Sequence, residues 1–186
     1  QMRLNKNLIN AQFMKGEEVR GFLFSILKDK SAAKILRLMH ETDILEQILP
    51  EFGLAHCKVN HDFYHHYTAD EHSLRVIRFL DELAATSITN PTDLHALYQD
   101  YLRKGILKLS ALLQSVRTAP TDEPGEFLKC LLERLSLEDG DVQVLLFLLA
   151  NPYTMIETAL HQDIHQPGVI RKFAQTVANP ERLKGL

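Results

Sequence analysis

The sequence contains no tryptophan and only two cysteines in 186 residues. Cys57 and Cys130 lie far apart, so neither a disulfide framework nor a C-x-x-C metal or redox motif is encoded. Two reduced thiols fit a cytoplasmic protein. Long apolar runs are missing as well. The longest, Val144 to Ala150, is far below the ~18 residues of a membrane span and reads as a buried helix segment. Gln1 to Asn10 is mixed polar and lacks the apolar stretch of a signal peptide. Neither sign of charge dominates: the formal net charge is −3 and the pI about 6.3. There is no strong field to draw nucleic acid or an anionic membrane, and neither partner is expected. The eight glycines are scattered, which leaves no phosphate-cradling loop. No G-x-S-x-G elbow and no H-E-x-x-H pair occurs.

What remains is the composition of a folded domain, 45% hydrophobic and 24% charged, long enough for one full core. The apolar spacing is helical almost throughout. Leu23, Ile26 and Leu27 repeat on one face, as do Ile35, Leu38 and Met39. Asp43 stands where an N-cap would open a short helix over Ile44 to Leu49, and Pro50 stops it. Thr68 and Glu71 match a capping box. Behind them Leu74, Ile77, Leu80, Leu83 and Ala84 form a stripe that predicts a long helix over about 69–86. Asn90-Pro91 opens a short helix. Ile106, Leu107, Leu109, Leu112 and Leu113 predict a strongly apolar, central helix. Helices follow over about 125–136, 138–150, 153–161 and 167–178. No strand-like alternation appears, so the expected fold class is all-α. Asn179-Pro180 signals one more helix start, but the chain ends at Leu186. A helix that short is marginal alone, and the expectation is a piece of a longer protein, truncated at its C-terminus.

Four of the nine histidines, His61, His65, His66 and His72, cluster in or beside the aromatic stretch His61 to Tyr67. Imidazoles this dense can form a transition-metal site. They can equally cap turns or bond to backbone, and no cysteine or second cluster completes a familiar ligand spacing. His40, His56, His95, His161 and His165 read as surface or internally satisfied residues.

Three stretches carry a resemblance. The first is Leu49-Pro50-Glu51-Phe52-Gly53. The second runs from Asn60-His61-Asp62-Phe63-Tyr64 through Thr68-Ala69-Asp70-Glu71-His72 to Arg75. The third pairs Gln162-Asp163-Ile164 with Asn179-Pro180-Glu181-Arg182-Leu183. In order and spacing these resemble the HD-domain segment of bacterial PII uridylyltransferase/uridylyl-removing enzymes. The resemblance implies an HD-domain-like helical bundle, here with an N-terminal helical extension. Residues 1–52 would form a helical subdomain packed on a core of residues 53–186. It also implies metal-activated water cutting a uridylyl–tyrosine phosphodiester on a PII signal protein, chemistry that needs several His and Asp ligands converging in a dry cavity.

Matched position by position, most of those ligands are absent. The first motif histidine falls on His72. The His-Asp pair falls on Gln114 and Ser115, at the end of the apolar run Ala111-Leu112-Leu113. The next histidine falls at Glu123, and a later His-His pair on Asn151 and Pro152. An amide and a hydroxyl are poor substitutes, and proline has no polar side chain. Asp122 and Glu123 offer oxygens for at most a weak Mg²⁺ or Ca²⁺ contact. The expectation is a catalytically degenerate domain with no cofactor, His72 being the one retained metal position. It would act as a regulatory, ligand-binding or scaffolding module behind a nucleotidyltransferase domain, with a nucleotide or a PII-like protein as partner. His61, Asp62, His65 and His72 are its ligand-binding candidates. The alternative is a working metal-dependent phosphohydrolase built on His65, His66, His72, Asp122 and Glu123. The two readings share a geometric expectation: His72 should sit in the first turn of its helix and face one cavity with Gln114 and Ser115.

Overall fold

The computed structural model of the chain describes residues 16–53, 67–85, 93–117 and 124–186. Within them the fold is an all-α bundle of twelve helices, with no strand among the described residues. In chain order they are α1 (Gly16–Leu27), α2 (Ala32–Glu41), α3 (Ile44–Ile48), α4 (Pro50–Gly53), α5 (Ala69–Ala85) and α6 (Asp93–Asp100). Then follow α7 (Lys104–Arg117), α8 (Pro124–Leu135), α9 (Asp139–Ala150), α10 (Thr154–His161), α11 (Pro167–Val177) and α12 (Pro180–Gly185).

Periodicity explains the layering. The stripe on α5 buries Leu74 and Ile77 against Ile106, Leu109 and Leu112 of α7, and this pair is the centre of the bundle. On one side α2 packs on α5 through Leu36; on the other α9 packs on α7. α9 is apolar nearly all round, burying Val144, Leu145, Phe147, Leu148 and Leu149, as a helix enclosed by neighbours must be. The short helices are held by tertiary contact rather than propensity: α4 lies on α7, and α1 on α7 and α8.

Two start signals act by other means than expected. Asp43 does precede α3, but in the left-handed region (φ 56°), and its side chain makes no cap hydrogen bond. It turns the chain where the short polar side chain of Asp tolerates that conformation. Thr68 does sit at the N-cap of α5, its carbonyl accepting from the His72 N–H at 2.9 Å. Glu71, however, is drawn away to Arg37 and Arg75. Pro50 not only ends α3 but opens α4, the N1 position where a missing N–H is harmless. At the far end Asn179 caps α12 as its sequence indicates, accepting from the Arg182 N–H at 2.9 Å.

Buried charge ties the centre together. Lys108 of α7, 2% exposed, donates to the Asp81 carboxylate of α5 and to the Asp29 carbonyl at 3.0 Å. Asp81 also accepts from the Ala33 N–H at 2.8 Å, at the start of α2. One carboxylate thus satisfies an ammonium and an orphan helix-start donor. Arg134 of α8 plays a similar part, binding Glu51 and the Ile48 carbonyl and fastening α8 to α3 and α4.

A cleft at the matched motif positions

Five helices and the chain end enclose a cleft of about 430 Å³. Its walls come from α5 (His72, Val76, Phe79, Leu80, Leu83), α6 (Leu94, Leu97, Tyr98), α7 (Leu107, Ser110, Ala111, Gln114) and the end of α9 with the turn beyond it (Leu148, Asn151, Pro152, Tyr153). Lys184, Gly185 and Leu186 close one end. Four of the six positions matched to metal ligands, His72, Gln114, Asn151 and Pro152, therefore share one cavity. His72 lies in the first turn of α5 and is exposed. Ser115 follows Gln114 on α7, its side chain outside the described residues. Glu123, Asp122, His61, Asp62, His65 and His66 also fall outside them.

The polar side chains of this cleft are mostly committed elsewhere. Gln114 donates to the Leu148 carbonyl at 3.1 Å, linking α7 to α9. Asn151 donates to the Phe147 carbonyl at 2.9 Å and accepts from the Thr154 hydroxyl at 3.1 Å, closing α9 and starting α10. Ser110 donates to the Leu107 carbonyl at 2.8 Å. Among the described residues the cleft holds one imidazole and no carboxylate. Nor do any three His, Cys, Asp or Glu side chains among them converge anywhere on a point suited to a metal. This donor set does not fit a tightly held divalent cation, which needs several anionic or imidazole ligands.

Beside the cleft, three residues of the resemblance serve structure. The Arg75 guanidinium lies 3.8 Å from the centre of the Tyr67 ring and donates to Glu71 at 2.8 Å. Arg37 of α2 pairs with the same carboxylate at 2.9 Å. The Arg37 hydrogen bond holds the Glu71 carboxyl below its usual range. Together they fix the first turn of α5, and with it His72, against α2.

A second group was not legible in sequence. His40 of α2 places Nδ1 on the Glu46 carboxylate of α3 and Nε2 3.3 Å from Asp70 of α5. Its ring stands edge-on to Phe52, centroids 5.3 Å apart. The Glu46 hydrogen bond raises the His40 pKa above 6.5, against desolvation, with Asp70 adding to it. Glu46 and Asp70 are 24 residues apart, and only the packing of α3 and α5 on α2 brings them to one ring.

No family model matches the chain, and no solved structure matches it. Curated proteins do. The chain is similar to the bifunctional uridylyltransferase/uridylyl-removing enzyme of Bradyrhizobium sp. strain BTAi1, 30% identical over 96% of this chain and 20% of that protein. It is 29% identical to the enzyme of that name from Caulobacter vibrioides, over 89% of this chain and 18% of the other. With the Chromobacterium violaceum enzyme it shares 29% identity over 97% of this chain and 22% of that protein. The chain thus spans about one fifth of the length of the curated relatives it matches. It is related by sequence to a segment of these larger enzymes. No single helix among the described residues is long and apolar enough to cross a membrane.

Proposed function

We propose that this chain is a degenerate HD-like segment of a uridylyltransferase-like protein, acting as a binding and regulatory module rather than as a hydrolase. The observation that carries the reading is the composition of one cleft. His72, Gln114, Asn151 and Pro152, the positions where the resemblance calls for metal ligands, line the same cavity and bring one imidazole between them. A metal lowers the pKa of bound water only when it is held, and holding it takes several converging ligands. Gln114 and Asn151 instead spend their amides on the backbone of α9, which turns a catalytic floor into a structural joint. In this reading a nucleotidyltransferase domain lies in the same cytoplasmic protein, and a nucleotide or a PII-like protein is the partner.

The test is metal content together with uridylyl release. Purified protein incubated with Mn²⁺, Fe²⁺ or Zn²⁺ should retain no stoichiometric metal and release no UMP from uridylylated PII. Metal-dependent release that disappears in His72→Ala would overturn the proposal and favour the phosphohydrolase reading, with His65, His66, Asp122 and Glu123 as displaced ligands.

A further inference from the structure

Away from the cleft, α10 and α11 carry apolar side chains that the chain itself does not cover. In α10, Met155, Ile156, Ala159 and Leu160 follow a helical stripe, yet no residue of that helix is buried. α11 turns one edge inward, with Phe173 packed against the core and Val177 buried, and Ile170 stays outside. Met155, Ile156, Leu160, Ile164 and Ile170 are between 40 and 70% exposed. Together they offer about 500 Å² of apolar surface, the order at which exposed hydrocarbon marks an interaction site. Helices of 8 and 11 residues are also too short to be stable without tertiary contact.

The charges on these helices lack partners too. With histidine neutral, the ionised groups between Tyr153 and Gln166 are Glu157 and Asp163, and those on α11 are Arg171 and Lys172. None of the four forms an ion pair among the described residues. Asp163 accepts from the His165 N–H at 3.0 Å and shapes the turn, but its charge is unmatched. One helix with its following turn therefore carries two negative charges, and the next helix two positive ones.

Such a surface is complementary to itself. In a two-fold dimer, α10 of each copy can lie on α11 of the other, so that acidic meets basic twice and the contact closes. Packing α10 on α10 would set carboxylates against carboxylates. A standard interface buries about 800 Å² per partner, a little over half of it apolar, and about 500 Å² of hydrocarbon meets that need.

We infer that α10 and α11 form the interface of a homodimer, α10 of one copy against α11 of its partner. Ile156 and Leu160 supply its apolar centre, and Glu157 faces Arg171 and Lys172 across it.

Sedimentation velocity on the whole chain, from about 1 to 200 µM, tests this. The chain should pass from monomer to dimer with a dissociation constant of about 10–100 µM, the range of a small interface. Leu160→Asp should weaken association at least tenfold with unchanged circular dichroism. Unfolding at about 1 µM reads the monomer, and there substitutions at Leu160 should leave stability nearly unchanged. Glu157→Lys and Arg171→Glu should each weaken the dimer about three- to tenfold, since each change acts twice in a two-fold contact. Their combination should return to within about twofold of the parent. A chain monomeric at all concentrations would overturn the inference and leave this face to a further domain of a longer protein. A dimer indifferent to Leu160→Asp would place the contact elsewhere, and open-ended association would exclude the closed pairing. A double variant no tighter than either single one would overturn the match of α10 with α11.

Discussion

Around α5 and α7 every buried charged side chain among the described residues has a partner, whereas in α10 no residue is buried at all. The first region joins α7 to α5 through Lys108–Asp81, α2 to α5 through His40–Asp70, and α8 to α4 through Arg134–Glu51. The second, α10 and α11, buries only Val177 and leaves Met155, Ile156, Leu160, Ile164 and Ile170 between 40 and 70% exposed. Both regions are amphipathic helices by sequence, so the difference lies in what each apolar face meets. In the centre the faces are enclosed and buried polar groups must be matched. In the α10–α11 arm few contacts constrain the helices, and local stability there is low.

The contrast breaks most visibly at Asp81. Asp81→Ala leaves the Lys108 ammonium and the Ala33 N–H buried without their acceptor, and should cost about 3–5 kcal/mol in urea unfolding. The double change Asp81→Leu with Lys108→Met, which removes both charges, should recover much of that loss. A single Asp81→Ala that unfolds like the parent would mean the centre is not held by this pair.

A smaller effect is expected from pH. Protonated His40 is favoured by Glu46 and Asp70 in the fold. Its contribution is therefore fully present below about pH 6.5 and is lost as pH rises through the raised folded value. Glu46→Gln should lower the His40 pKa, read by the NMR shift of its ring protons, and flatten the fall in stability above pH 6.5. A His40 titration unmoved by Glu46→Gln would remove the carboxylate as its cause.

The smallest effect belongs to the arm. Leu160→Ser, at a side chain 70% exposed, should change stability by less than about 0.5 kcal/mol. A loss approaching that of Asp81→Ala would erase the distinction between the two regions.

Helix positions were readable because a 3.6-residue apolar period needs only local sequence. Asn179 at its cap and the stripe from Leu74 to Ile77 sit where their patterns place them. The residue types at 72, 114, 151 and 152, one imidazole, two amides and a proline, were also readable, since they depend only on which residues stand there. Sequence alone misread how Glu71 acts, because a distant arginine outcompetes a local N–H for its carboxylate, and how Asp43 acts, because the turn into α3 takes left-handed backbone there. It gave no sign that His40 would meet two carboxylates from two other helices. Residue types and helical faces are local properties and were determined by the chain itself. Which polar groups share a cavity, which are spent on backbone and which stay unsatisfied depend on long-range packing. Tertiary structure alone decided those, as it decided that His72, Gln114, Asn151 and Pro152 share one cleft whose walls are mostly apolar.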